Sequence, residues 1–188
     1  MNTETVTLFL ALLAVLAQVV VASAVVLAVA GRFSPSVRAV GHRVAAEIGP
    51  QALGLAAVVA LVCTSGSLYF SQVAHFVPCR LCWYQRAAMY PLVVILGVSA
   101  ITRFHRIRPF AAALAGLGAC VSIFHILVER YPNLETSSCD PANPCSLIWV
   151  EKFGYLTIPT MALSGFALIL VLLAVARPAA PAHAQEAP

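Results

Sequence analysis

The chain has 188 residues, of which 61% are hydrophobic and only 10% charged, with a formal net charge of +4 at pH 7. A soluble domain of this length needs a far more polar surface, so the composition excludes a water-soluble fold and leaves an integral membrane protein. No internal repeat, phosphate-binding glycine loop or nucleic-acid motif is present, and the basic loops are accounted for as topology signals.

A bilayer core calls for ~20 apolar residues per helix. Five segments qualify, at approximately residues 5–30, 51–73, 83–102, 110–128 and 156–176. Their apolar residues follow no alternating strand pattern, so the expectation is an all-α membrane protein and not a barrel. The first segment is read as a membrane helix, not a cleaved signal peptide. Glu4 precedes it, and Arg32, Arg38 and Arg43 follow it. A signal peptide carries its charges the other way round and has a shorter apolar run. Residues 1–50 are thus expected to form an N-terminal transmembrane helix and a basic cytoplasmic loop. Residues 51–176 hold four further spans, and the Ala/Pro-rich residues 177–188 a disordered cytoplasmic tail.

Counting basic residues orients these spans. Arg32, Arg38, Arg43, Arg103, Arg106, Arg108 and Arg177 fall on one side. Arg80, Arg86, Arg130 and Lys152 fall on the other. The richer side is assigned as cytoplasmic, which puts the N-terminus outside. Cys79, Cys82, Cys139 and Cys145 then share the extracytoplasmic side, where disulfides persist.

The six cysteines sort by position. Cys63 and Cys120 lie within spans, where a free thiol is an ordinary core residue. Cys79 and Cys82 open the third span in "PCRLCWYQR". Cys139 and Cys145 lie in "SSCDPANPCSLIW", between the fourth and fifth spans. Two pairs on one side admit three uses: zinc, a static crosslink, or thiol exchange. A structural zinc site needs about four ligands, which two pairs supply, but an oxidising exterior favours disulfides. For the loop pair, chain entropy makes so short a ring worth about 2.4 kcal/mol at most, little for a staple. A small exposed ring is easily opened by exchange.

For the first pair, a helix beginning near Leu81 places Cys82 at its N-terminus, where unpaired N–H groups and the helix dipole favour a thiolate. Arg86 follows one turn deeper on the same face. An arginine at that depth is a functional candidate, with a snorkelling anchor as its plain alternative. Trp83 and Tyr84 read as interfacial aromatics. His75 reads as an interfacial residue, and His125, inside the fourth span, as a helix-packing residue, with reach into a ligand site beside the first pair as its alternative. The segment "LIWVEKFGY", residues 147–155, is either a surface-lying stretch that holds the loop pair near the first pair or a plain connection.

"PCRLCWYQRAAMYPL" resembles the signature of the DsbB-type disulfide bond formation proteins, especially the BdbC-like branch. "FGYLTIPTMALSGF", residues 153–166, is similar to that branch's last span. The resemblance covers approximately residues 52–175. It implies a four-helix membrane bundle, here with one extra N-terminal helix, that reoxidises a DsbA-like thioredoxin-fold partner and passes electrons to a quinone, ubiquinone or menaquinone. By position, Cys79 and Cys82 match the quinone-linked pair, with Cys82 nearer the quinone, and Arg86 matches the arginine beside it. Cys139 and Cys145 match the loop pair that meets the partner, the first being attacked. The implied location is the bacterial cytoplasmic membrane.

Two features depart from that pattern: the additional first span, and loop cysteines closer together than in enterobacterial members. A vitamin K epoxide reductase-like enzyme also combines loop cysteines, a membrane-edge Cys-x-x-Cys and a quinone. There the loop pair precedes the Cys-x-x-Cys, whereas here it follows. A non-catalytic membrane scaffold with two structural disulfides is the alternative from a different class.

Overall fold

A computed structural model describes residues 2–135 and 139–177. Helix α1, Thr3–Ala30, is followed by α2, Pro35–Ile48. A short 3-10 turn, Gly49–Gln51, leads into α3, Ala52–Gln72. Helices α4, Arg80–Thr102, α5, Arg108–Arg130, and α6, Ile158–Val175, complete the bundle. Among the described residues, five helices are long and apolar enough to cross a membrane. The protein is an all-α membrane protein in which α3 to α6 form a four-helix bundle and α1 packs along α6.

The basic connection expected as a loop after α1 is helical instead. Pro35 occupies the first turn of α2, where its missing N–H costs nothing and its fixed φ favours the helix. None of α2 is buried, as suits a polar-faced segment lying outside the apolar bundle.

Small residues set the helix spacing. A Cβ on Gly118 would fall within the Phe166 ring, and one on Gly165 would overlap the Cys63 sulfur. Helix α6 therefore lies close against α5 and α3 at these glycines, gaining dispersion contacts that lipid cannot supply. Leu92, Leu96, Phe166 and Ile169 are fully buried in the core these helices share. Cys63 packs against this core, whereas Cys120 is exposed on the outer face of α5. An apolar thiol suits lipid there as well as it suits a core.

The up-and-down chain sorts the basic residues by end. Lys152 at the cysteine end pairs with Glu4 at the start of α1, 2.7 Å apart. At the other end the Arg177 N–H donates to the Gly49 carbonyl, and Arg108 Nε donates to the Leu173 carbonyl at the close of α6. That guanidinium caps carbonyls which the last helical turn leaves unpaired. The tail expected at residues 177–188 lies outside the described residues except for Arg177.

Residues 147–155 form no surface helix. Strands β1, Glu151–Lys152, and β2, Leu156–Thr157, pair antiparallel in a small hairpin. Phe153 and Gly154 turn it with positive φ, a conformation glycine adopts freely and phenylalanine only where the turn demands it.

Candidate active site

The Cys-x-x-Cys motif caps its own helix. Cys79 is extended at the N-cap of α4, and its sulfur accepts a hydrogen bond from the Cys82 N–H at 3.3 Å. The helix begins at Arg80, one residue earlier than expected, so the unpaired N–H groups address Cys79. Cys82 sits on the third helical residue, with its sulfur 3.0 Å from that of Cys79. Both are free thiols.

Cys79 thereby holds a thiolate far below the ordinary thiol range. The hydrogen bond from the Cys82 thiol is the largest cause. Burial opposes it, and His125 and the Cys82 N–H add to it.

His125, favoured from sequence as a packing residue, lies between the two cysteine pairs. It is buried in α5 at 2% exposure. Its Nε2 lies 3.6 Å from the Cys79 sulfur and 3.1 Å from the Cys145 carbonyl oxygen. On the ring's other side, Gln85 Nε2 lies 3.4 Å from Nδ1. With the Gln85 amide donating to Nδ1, the neutral ring carries its proton on Nε2, pointing at the Cys145 carbonyl and the Cys79 sulfur. One available signal was an ionisable residue buried within a span, which is costly without a partner.

The loop pair is a disulfide, Cys139–Cys145, with Cα atoms 6.0 Å apart. It packs in one buried cluster with Cys79, Leu81 and Val128, so the fold brings the two pairs together. Glu135 clamps the loop. Its carboxylate accepts hydrogen bonds from the Cys145 N–H and the Ser146 hydroxyl. A four-sulfur zinc site does not assemble here, because Cys139 and Cys145 are bonded to each other. Cys79, Cys82 and His125 offer three donors within reach of one point, short of the four or so that a closed structural site takes.

Arg86 reaches to α3. Its Nη2 donates to the Ser67 carbonyl at 3.0 Å, and its guanidinium lies 5.3 Å from the Trp83 ring centre. Among the described residues it has no carboxylate partner. Cys82, Gln85, Arg86 and Tyr90 line one wall of a cavity of about 390 Å³, which Ser67, Phe70, Phe76 and Trp149 also line. The stacked rings of Phe70, Phe76 and Trp149 bind the loop to α3 beside this space. An apolar cavity with a few convergent polar groups is the usual form of a small-molecule site.

A membrane-embedded helical bundle holding a loop disulfide against a free Cys-x-x-Cys pair defines a thiol–disulfide oxidoreductase of the membrane. Residues 50–176 match the family model described as "Disulfide bond formation protein DsbB", and the chain belongs to that family. It is 43% identical to disulfide bond formation protein C of Bacillus subtilis over 117 residues, 62% of this chain and 85% of the relative. A probable disulfide formation protein of Deinococcus radiodurans is 42% identical over 132 residues, 64% of this chain and 85% of the relative. One from Oceanobacillus iheyensis is 41% identical over 117 residues, 61% and 81% of the two chains. No solved structure matches. The family match begins at residue 50, so the whole of α1 and α2 precedes it.

Proposed function

We propose that this protein is a thiol:quinone oxidoreductase of the bacterial cytoplasmic membrane, with its redox cysteines on the extracytoplasmic side. It reoxidises a DsbA-like thioredoxin-fold protein and delivers the electrons to ubiquinone or menaquinone. The observation that carries this reading is a division of labour within one motif. Cys79 is buried with the loop disulfide beside His125, while Cys82, which packs against the same cluster, also lines the cavity with Arg86.

The cavity fits a quinone ring. It is apolar enough to admit one from lipid, and Arg86, Gln85 and Tyr90 offer polar groups to its oxygens. A bound quinone supplies an acceptor for two electrons and two protons. The chain's own residues perform the remaining steps. A partner thiolate attacks the Cys139–Cys145 bond at Cys139, which is 9% exposed while Cys145 is fully buried. The partner's second thiol then closes its own disulfide and releases the reduced loop pair.

The loop thiols next reduce an oxidised Cys79–Cys82 pair, one disulfide forming as the other breaks. His125, between the pairs, orients Cys79 and donates a hydrogen bond to its thiolate. Cys82 gives up electrons into the cavity, where the Arg86 guanidinium favours negative charge on the acceptor oxygen. The Cys79–Cys82 disulfide re-forms, and the thiols' two protons leave with the two electrons.

The test mixes purified protein, quinone and a reduced thioredoxin-fold substrate and follows quinone absorbance. Quinone loss that stops in Cys79→Ser and Cys139→Ser is the expected result. Unchanged rates in those variants would sink the relay, and a folded wild type without any turnover would favour the scaffold reading.

A further inference from the structure

The cavity has a wall that the family-matched region does not supply. Leu10, Leu13, Ala14 and Ala17 of α1 line it opposite the α3 and α4 residues, together with Leu16 and Val20. All of them precede residue 50, where the family match begins.

Helix α1 is seated there by specific contacts. A Cβ on Gly66 of α3 would meet the Leu10 methyl groups at 3.0 and 3.2 Å, so Leu10 of α1 lies directly over α3 there. Ala11 and Ala14 pack in a buried cluster with Leu156. Gln18, polar in an otherwise apolar stretch, donates to the Ser164 hydroxyl at 3.0 Å and accepts from the Tyr155 hydroxyl at 2.8 Å. The Glu4–Lys152 pair pins the helix at its outer end. A helix that served only to anchor the chain would need none of this. A polar side chain within a span is costly unless its hydrogen bonds are met, and Gln18 meets them on the bundle.

We propose that α1 is a fifth wall of the quinone cavity, with Leu10, Leu13, Ala14 and Ala17 holding the ligand and setting quinone affinity. The proposal rests on the reading of the cavity as a quinone site. Ala14 and Ala17 leave room on this wall, and the leucines would offer aliphatic contact to a bound quinone. Removing α1 would open the cavity to lipid along its length.

The experiment measures binding of a short-chain quinone to the oxidised full-length protein by quenching of tryptophan fluorescence, since Trp149 lines the cavity. Ala17→Phe fills space on the cavity side of α1, and Leu13→Ala removes a wall contact. Leu12→Phe, on the exposed side and outside the lining, is the control. Expected is a Kd raised about tenfold by Ala17→Phe, a smaller rise for Leu13→Ala, and no change for Leu12→Phe. A photoreactive quinone should label an α1 peptide in the unsubstituted protein, a readout that needs no variant to fold. Tight binding with no α1 label and unchanged Kd in both cavity variants overturns the fifth wall alone. A wild type that binds no quinone at all overturns the quinone reading beneath it as well.

Discussion

The Cys79 sulfur and His125 Nε2 lie 3.6 Å apart, although 46 residues separate them in the chain. The same nitrogen lies 3.1 Å from the Cys145 carbonyl, so one imidazole touches the membrane-edge pair and the backbone of the loop pair. The two disulfide sites are therefore coupled through a polar side chain as well as by packing.

The first prediction concerns pH. Because the Cys79 thiolate is stabilised, its proton is lost at a pH well below the ordinary thiol value of about 8.5. As pH falls, the thiolate persists through neutrality and is lost only on passing the lowered value. In reduced protein, Cys79 alkylation by iodoacetamide, followed by mass spectrometry, should continue at about pH 6. His125→Ala should move the profile upward, toward the ordinary range. An identical profile in the variant would show that His125 does not stabilise the thiolate.

Arg86→Met should leave exchange between the loop disulfide and a dithiol unchanged while slowing quinone reduction about 100-fold, the usual cost of removing a preorganised donor from developing negative charge. Arg86→Lys keeps the charge without the planar fork and should recover only part of the rate. Equal loss of both half-reactions would assign Arg86 a structural role through Ser67 instead.

Glu135→Ala removes the acceptor for the Cys145 N–H and the Ser146 hydroxyl. The loop should open more readily, with reduction of Cys139–Cys145 by excess dithiothreitol several-fold faster, about threefold to tenfold for a lost charge-assisted hydrogen bond. Glu135→Gln, which keeps an acceptor oxygen, should fall between. A rate equal to wild type in both variants would remove the clamp from the account.

Packing makes its own prediction. Gly118→Val forces two helices apart where the Phe166 ring fills the space of a Cβ, at a cost of about 1–3 kcal/mol. A thermal melt in detergent should show the loss. Gly116→Ala meets open space and should melt at or above the wild-type temperature. Equal melts for the two variants would contradict the helix spacing described here.

Composition and hydropathy alone determined that this is a membrane protein with five spans, because an apolar run of that length has few other places to go. The two cysteine pairs and Arg86 stand out in the sequence as candidates, since the chemistry proposed for them depends on residue type and local spacing. The helix start was not. Only the extended backbone at Cys79 decided that the N-terminal N–H groups serve the first cysteine and not the second. His125 looked like a packing residue because its partners, Gln85, Cys79 and Cys145, lie on other elements. The basic connection read as loop became α2, and the interfacial stretch became a hairpin, since turn backbone is chosen by tertiary context. The cavity and its α1 wall belong wholly to the tertiary structure. A cavity is the space helices leave when glycines and alanines set their spacing, and no single segment carries that information.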